Sequence, residues 1–379
     1  MAKTFHVALA FPHEHGTVRG LYKGILEYAQ DCPQFTFRHT GPHDLNGVRQ
    51  LKSWKGDGAI ASINSRAALE VVDSLDYPVV NISAALPKTN HPRVTKDHYK
   101  VGRTAAEHLT ATGVTNFGYI GIKDRWYSDQ KRDGFKDSLR KSGYPIHEIF
   151  VDKISNITDE EKAFRSIRKW FNDLPFPIGL LLDTDALYGL VYDLCNQRGL
   201  AIPDDVPVVG INNFPAICLT RSPTLTSIEY GDARYGYTAL EMLHKLMKGS
   251  AAEVTNETVV QGHQLFARDS TDITVVDNPK LDDAIKFIRA NLSTSFAMED
   301  VISVAECSRR WLENAFKAHL NQTPANFIQS LRIKKAKQLV MDYPKMDHHE
   351  VARHSGFSSK RHMDDVFRKV VQADLESFK

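Results

Sequence analysis

The sequence predicts an α/β region of doubly wound parallel sheets, followed by an all-α C-terminal domain with two helix-turn-helix units. Three observations predict it. Over roughly the first 270 residues, short apolar runs alternate with amphipathic runs of helical period, the pattern of parallel strands joined by covering helices. The last hundred or so residues hold two helix-turn-helix patterns in tandem, and nothing before them holds one. At 379 residues the chain is too long for one ordinary core, so two or three domains are expected.

The candidate strands are 6–11, 58–63, 79–82, 117–122, 147–151, 178–182 and 206–211. Helical patterns occupy 18–30, 67–74, 101–112, 133–142, 159–173, 186–198 and 233–248. Gly113, Gly143 and Gly199 follow three of these helices, where a positive φ ends the last turn. Asp97 stands before the helix near 101 and suits its cap. Trp170, Phe171 and Leu174 form an apolar helix stripe and read as core. The polar stretch 268–279 contains Asp-Ser-Thr-Asp and ends in Asn-Pro, marking a domain boundary. A helix at 281–292 then opens the C-terminal domain.

The bulk numbers exclude several classes. Apolar residues make up 42% and charged residues 25%, as in ordinary globular proteins. No apolar run reaches the roughly 18 residues of a membrane span. The opening apolar stretch breaks at Pro12 and His13, so it reads as a first strand rather than a signal peptide. Cys32, Cys195, Cys218 and Cys307 show no CxxC spacing, which suits a reduced, cytoplasmic protein without structural zinc. His13/His15 and His348/His349 lack the partners of a metal site, and no metal is expected. Net charge is only +2. From Leu281 onward there are 16 basic residues against 13 acidic ones, a weak basic bias in the DNA-like region.

In doubly wound sheets ligands bind outside the carboxyl ends of the strands. That directs attention to 11–15, Asn64, Ser83, 123–131, 183–185, Asn212 and Asn213. The set is polar with aromatic neighbours and suits a polyhydroxylated ligand. No GxGxxG follows the first strand, no Walker lysine motif occurs, and no GxSxG elbow is present. No cofactor and no catalytic set are therefore expected.

The first helix-turn-helix unit lies at about 298–319. Val301/Ala305 and Leu312/Phe316 are spaced four apart and face inward. Arg309, Arg310, Glu313 and Asn314 then face outward near the start of the second helix. Early residues of a recognition helix meet base edges, and arginine and asparagine suit guanine and adenine. The alternative is a solvated helix face. Trp311 packs inside the unit or lies against the nucleic-acid backbone; both stay open. The second unit lies at about 347–370, with Val351, Phe357, Met363 and Phe367 as core and Lys360 and Arg361 in the base-facing positions. Asp364 and Asp365 follow on the same helix and would face phosphates unless they turn away or pair with Arg361 and Arg368. This unit then serves mainly to position the first through backbone contacts.

The stretches VGRTAAEHLTATG (101–113), 117–122, PDDVPVVGINN (203–213) and SPTLTSI (222–228) resemble lac-repressor-type ligand domains. The run Pro324-x-x-Phe-Ile-x-x-x-Arg332-Ile-x-x-Ala336-x-x-Leu-Val340, with Gly356-Phe357 in the second turn, resembles the AraC-type DNA-binding domain. The order of the two, without an N-terminal helix-turn-helix, is similar to the xylose-regulator family of bacteria. The joint Arg268-Asp-Ser-Thr-Asp272 and the opening Arg19-x-x-x-x-Gly24-Ile25 fit the same family.

The resemblance implies a two-lobed, periplasmic-binding-protein-like sugar domain at 1–272, a linker at 273–280 and a DNA-binding domain at 281–379. It implies effector contacts from Arg19, Asp97, Lys131, Thr184, Asp185 and Asn212, and DNA contacts from Arg309, Arg310, Asn314, Lys360 and Arg361. For Asp97 the alternative is helix capping alone; for Asp185 and Asn212 it is a structural turn. Relatives place arginine where this chain has Lys131 and mostly aspartate where it has Asn212, departures that bear on the sugar recognised. They usually carry glycine and proline where Gln372 and Leu375 stand. The expected protein is a cytoplasmic regulator: a homodimer that binds double-stranded operator DNA under control of D-xylose or a related sugar, touching RNA polymerase if it activates, and with no membrane partner. The competing classes are a solute-binding receptor and a sugar-metabolising enzyme with an accessory DNA-binding domain.

Overall fold

Strands form where the chain is continuously apolar or where a short alternating run finds an edge. The computed structural model describes residues 3–12, 18–32, 34–41, 44–273, 276, 278–371 and 373–378, with backbone only at 18, 19, 44, 232 and 378. Twelve strands are present among them: β1 Phe5–Ala10, β2 Phe35–His39, β3 Gly58–Ala61, β4 Val79–Asn81, β5 Arg93–Lys96, β6 Asn116–Ile122, β7 Ile146–Val151, β8 Ile178–Leu182, β9 Val208–Ile211, β10 Thr226–Tyr230, β11 Glu257–Val260 and β12 His263–Phe266. They make two six-stranded sheets, in the orders β11-β5-β4-β3-β1-β2 and β12-β10-β9-β8-β6-β7. Pairing is parallel except between β10 and β12. The chain divides into two compact units, Met1–Thr271 and Asp272–Lys379, and both sheets belong to the first.

β3, β8 and β9 are buried at every position, which is why they read as unbroken apolar runs. Five strands escaped the sequence reading: β2, β5, β10, β11 and β12. β2, β11 and β12 lie at sheet edges and are half exposed, so they carry polar residues. β10 is interior but begins with Thr226 and Ser227, both buried. The Thr226 hydroxyl donates to Arg268 O at 3.1 Å and that of Ser227 to Asp185 Oδ1 at 2.7 Å, so burial costs them little.

The chain changes lobe three times. β5 leads into the helix His98–Thr110, which packs on β8; β10 leads into the helix Asp232–Met247, which packs on β3 and β5; β11 leads directly into β12. Asp97 caps the first of these helices, its Oδ1 accepting from Lys100 N at 2.9 Å. That helix begins three residues before the expected start. The helix Trp126–Lys141 begins seven residues early. Its first turns bury Ser128 and Lys131 in place of apolar side chains, which hid them from a hydrophobic pattern. These two helices cross on Gly102 and Gly134. A Cβ on Gly102 would lie 2.0 Å from Lys131 O, and one on Gly134 1.9 Å from Tyr99 O, so only glycine permits the approach.

The second unit holds helices Pro279–Ala290, Met298–Val304, Arg309–Leu320, Pro324–Asp342, His348–His354 and Lys360–Val366. The first starts inside the stretch read as linker. Asn278, Ser308, Thr323, Asp347 and Ser359 each cap a helix through a side-chain oxygen, satisfying a backbone N–H that the helix leaves orphaned. At the remaining helix the Asp300 carboxylate accepts from Ala297 N at 2.7 Å. Two cores share the central helix. Phe327, Ile328 and Leu331 pack with Leu281, Val301, Leu312 and Phe316; Ile333, Ala336 and Val340 pack with Val351, Phe357, Met363 and Phe367. Trp311 packs against the first core. Gly356 joins the two halves: its φ is +81°, and a Cβ would meet Leu292 O at 1.9 Å.

His13 and His15 of the metal question, and Gln372, lie outside the described residues. Among the described residues no helix is long and apolar enough to cross a membrane.

Candidate effector cavity and DNA-contacting helices

A cavity of about 360 Å³ opens at the carboxyl ends of β6 to β9, beside the crossovers. Its described lining includes Lys131, Thr184 and Asn212 from the predicted set. It also includes Lys96, His98, Tyr127, Lys153, Asp183 and Tyr230, with Ile122, Ile154, Ala186 and Leu187 as apolar wall. The size falls at the lower end of small-molecule sites, and a mostly apolar wall with a few convergent polar groups is their usual make-up.

Lys131 and Asp183 form the buried centre of the polar wall. Lys131 Nζ donates to Asp183 Oδ1 at 3.0 Å and to Asp183 O at 2.8 Å. Tyr119 OH lies 2.8 Å from the same Oδ1, and Ser128 Oγ lies 2.9 Å from Tyr119 OH. Burial pushes the Lys131 ammonium below its ordinary pKa, and the Asp183 charge offsets part of that. An ammonium has three donors; two of these go to Asp183. The Tyr127 ring faces Lys131 Nζ at 4.8 Å, a cation–π distance.

Thr184 and Asn212 meet at the cavity edge, Asn212 Nδ2 donating to Thr184 Oγ1 at 3.3 Å. Asn212 and Asn213 have φ of +104° and +50°, a region in which asparagine is enriched among non-glycine residues. The turn is held from behind. Arg268 Nη2 donates to Asn213 Oδ1 at 2.7 Å, and Asn213 N donates to Ser227 Oγ at 3.0 Å.

Two of the remaining predicted effector residues, Asp185 and Asp97, are absent from the described lining. Asp185 is buried behind it, with Oδ2 accepting from Phe214 N at 2.8 Å and Oδ1 from Ser227 Oγ at 2.7 Å. Burial raises its pKa from 3.8 to about 6, against the lowering effect of those bonds. Asp97 is absent from the described lining: Oδ1 caps its helix and Oδ2 accepts from Gln261 Nε2 at 3.0 Å. The side chain of Arg19, and residues 13–15 of the first-strand end, lie outside the described residues. Asn64 and Ser83 do not appear in the described lining.

Sequence reasoning missed Lys96, His98 and Tyr230 because they sit on crossovers, where no periodicity marks a face. His98 Nδ1 lies 2.7 Å from Tyr230 OH. Burial, together with Lys131, Lys96 and Arg93, holds its pKa well below the ordinary histidine value.

In the second unit Arg309, Arg310 and Asn314 all lie exposed on the helix Arg309–Leu320. Arg309 is engaged with carboxylates, Nη1 at 3.6 Å from Glu299 and Nε at 3.7 Å from Glu313. Arg310 and Asn314 stand one turn apart. On the helix Lys360–Val366, Lys360 Nζ contacts Asp364 Oδ2 at 2.7 Å, so Asp364 pairs with Lys360 rather than with an arginine. Arg361 and Asp365 are exposed.

Comparison with known proteins follows the same division. Residues 106–271 match a periplasmic binding protein-like domain and residues 302–378 a helix-turn-helix domain. The chain is 25% identical to the xylose operon regulatory protein of Haemophilus influenzae, over 99% of this chain and 98% of that one. It is 22% identical to the xylose operon regulatory protein of Escherichia coli K12, over 100% and 97%. A solved xylose-binding transcription activator superposes with a TM-score of 0.75 at 21% identity, over 100% of this chain and 98% of the other, and shares the fold.

Proposed function

We propose that this chain, a homologue of the xylose operon regulatory proteins over its full length, is a sequence-specific DNA-binding regulator controlled by a small sugar, D-xylose or a close relative. The observation that carries the reading is a single one. A cavity lined by Lys131, Thr184 and Asn212 belongs to the same chain as two capped helix-turn-helix units. Amides, hydroxyls and a paired ammonium fix the donor and acceptor pattern of sugar hydroxyls.

In this reading Lys131, Thr184 and Asn212 touch the sugar, with Arg19 added from the opposite lobe. Asp185 and Asp97 hold the turn and the crossover. Arg310 and Asn314 read bases, while Arg309, Lys360 and Arg361 contact DNA with less sequence information. The protein acts as a cytoplasmic homodimer, because two modules on adjacent half-sites gain effective concentration. If it activates, it also touches RNA polymerase. The homologues are regulators, which supports a binding protein rather than an enzyme and calls for no cofactor. The sugar shifts the DNA-competent population only as far as it binds that form more tightly.

Thermal unfolding of the full chain against D-xylose, L-arabinose and D-glucose tests the effector. A ligand at 100 times its Kd stabilises its domain by about 2.7 kcal/mol. A selective rise with D-xylose supports the reading; no rise with any sugar removes the effector from it.

A further inference from the structure

The three lobe crossovers are stitched to one another by side chains and backbone. Gln261 Nε2 donates to Asp97 Oδ2 at 3.0 Å, Gly231 N donates to Gly262 O at 2.9 Å, and His98 Nδ1 lies 2.7 Å from Tyr230 OH. Of these links, only the last joins two residues that line the cavity.

His98 is bound on one side alone. Its Nδ1 serves Tyr230, and its Nε2 has no hydrogen-bond partner among the described residues. The ring is packed between aromatics, with centroids 5.9 Å from Tyr127 and 5.3 Å from Tyr230. Burial and the surrounding cations disfavour its charged form. A neutral imidazole has one donor and one acceptor. If the tyrosine hydroxyl donates to Nδ1, then Nε2 carries the proton and donates outward; if it accepts, Nε2 is an acceptor. Either tautomer suits an uncharged hydroxyl, which can donate or accept.

We infer that His98 is a specificity-determining residue of the effector site, its Nε2 binding a sugar hydroxyl while its Nδ1 holds Tyr230 on the neighbouring crossover. One rigid ring thus connects the ligand to the hinge. A hydroxyl in the right place fixes the ring, and the ring fixes the separation of two of the three strands on which the lobes turn. The inference rests on the sugar-effector reading and adds a contact outside the set that reading names. It also assigns a direction of selectivity: a sugar that lacks the hydroxyl beside His98 leaves a polar nitrogen unpaired in a buried wall.

Titration of the full chain with D-xylose by calorimetry, using His98→Asn and His98→Gln, tests it. Asparagine places a polar atom near Nδ1 and none near Nε2; glutamine does the reverse. His98→Asn is expected to bind at least tenfold more weakly, and His98→Gln within about threefold of the parent, the loss of one hydrogen bond setting the scale. The rescue by glutamine is the readout that a purely structural histidine does not give. His98→Phe, which keeps the ring and lacks both nitrogens, replaces His98→Asn if the latter fails to fold, with the same expected loss. Binding by His98→Asn (or Phe) within threefold of the parent overturns the inference, as does a His98→Gln as weak as the asparagine variant. A parent protein that binds none of D-xylose, L-arabinose and D-glucose overturns the effector reading and this inference with it.

Discussion

Lys131 Nζ sits 3.0 Å from Asp183 Oδ1, with both side chains at most 5% exposed, in the polar wall of the cavity. The pair makes the polar wall rigid before any ligand arrives. It also holds a long cationic side chain in place: the Lys131 stem is buried in the helix face, and its head is anchored by a carboxylate and a carbonyl.

Breaking that pair leaves an uncompensated buried charge. Lys131→Met is expected to destabilise the ligand domain by about 3–5 kcal/mol, and the double change Lys131→Met with Asp183→Leu to recover much of it. Urea denaturation of the three proteins measures this. A single variant as stable as the parent contradicts the placement of the pair.

Asp185 gives a pH signature. Its folded pKa, about 6, stands above the ordinary 3.8, so between these values the folded state holds more protons than the unfolded one. Stability from this group is fully present below about pH 4 and is lost as pH rises through 6, a change of roughly 2–3 kcal/mol. Asp185→Asn should remove that part of the slope. The parent should lose stability relative to the variant as pH rises from about 4 to about 6, and the two should run parallel above that; unfolding midpoints that run parallel throughout pH 4 to 7 would contradict it.

Gly356→Ala should damage the DNA-binding unit alone. The new methyl must displace Leu292 O, and alanine is strained at φ +81°; the combined cost exceeds about 1 kcal/mol. Operator binding should weaken while the sugar titration stays that of the parent. Equal loss of both would mean the units are not separable.

Arg310→Ala should cost about 1–3 kcal/mol on the preferred sequence and relax the choice of base at one position. Lys360→Ala should cost less, because Asp364 already neutralises that ammonium. Competition binding with a randomised DNA pool reads both. Equal loss on specific and random DNA from Arg310→Ala assigns it to a phosphate instead.

The sequence made the buried parallel strands and the helix-turn-helix units legible, because continuous apolar runs and the four-residue spacing of Val301/Ala305 and Leu312/Phe316 each have local signatures. It hid the edge strands β2, β11 and β12, whose exposed sides are polar. It also hid the first turns of the helix Trp126–Lys141, where Ser128 and Lys131 are buried through hydrogen bonds rather than by hydrophobicity. Lys131, Thr184 and Asn212 lie in stretches that the strand-end rule for doubly wound sheets marks, and the family resemblance singled them out there. Asp185, in one of those stretches, and Asp97, named by the resemblance, turn to the backbone of Phe214 and Lys100, a direction that residue type does not encode. His98 and Tyr230 meet across 132 residues of chain, and only the closed fold brings them together.

The most direct measurement is the affinity of the full chain for a duplex selected from a random pool, with and without saturating D-xylose, at one fixed salt concentration. A sugar-coupled regulator predicts a change of about 5- to 150-fold, with the reciprocal change in sugar affinity when DNA is bound. Superimposable isotherms in the presence and absence of the sugar would contradict it.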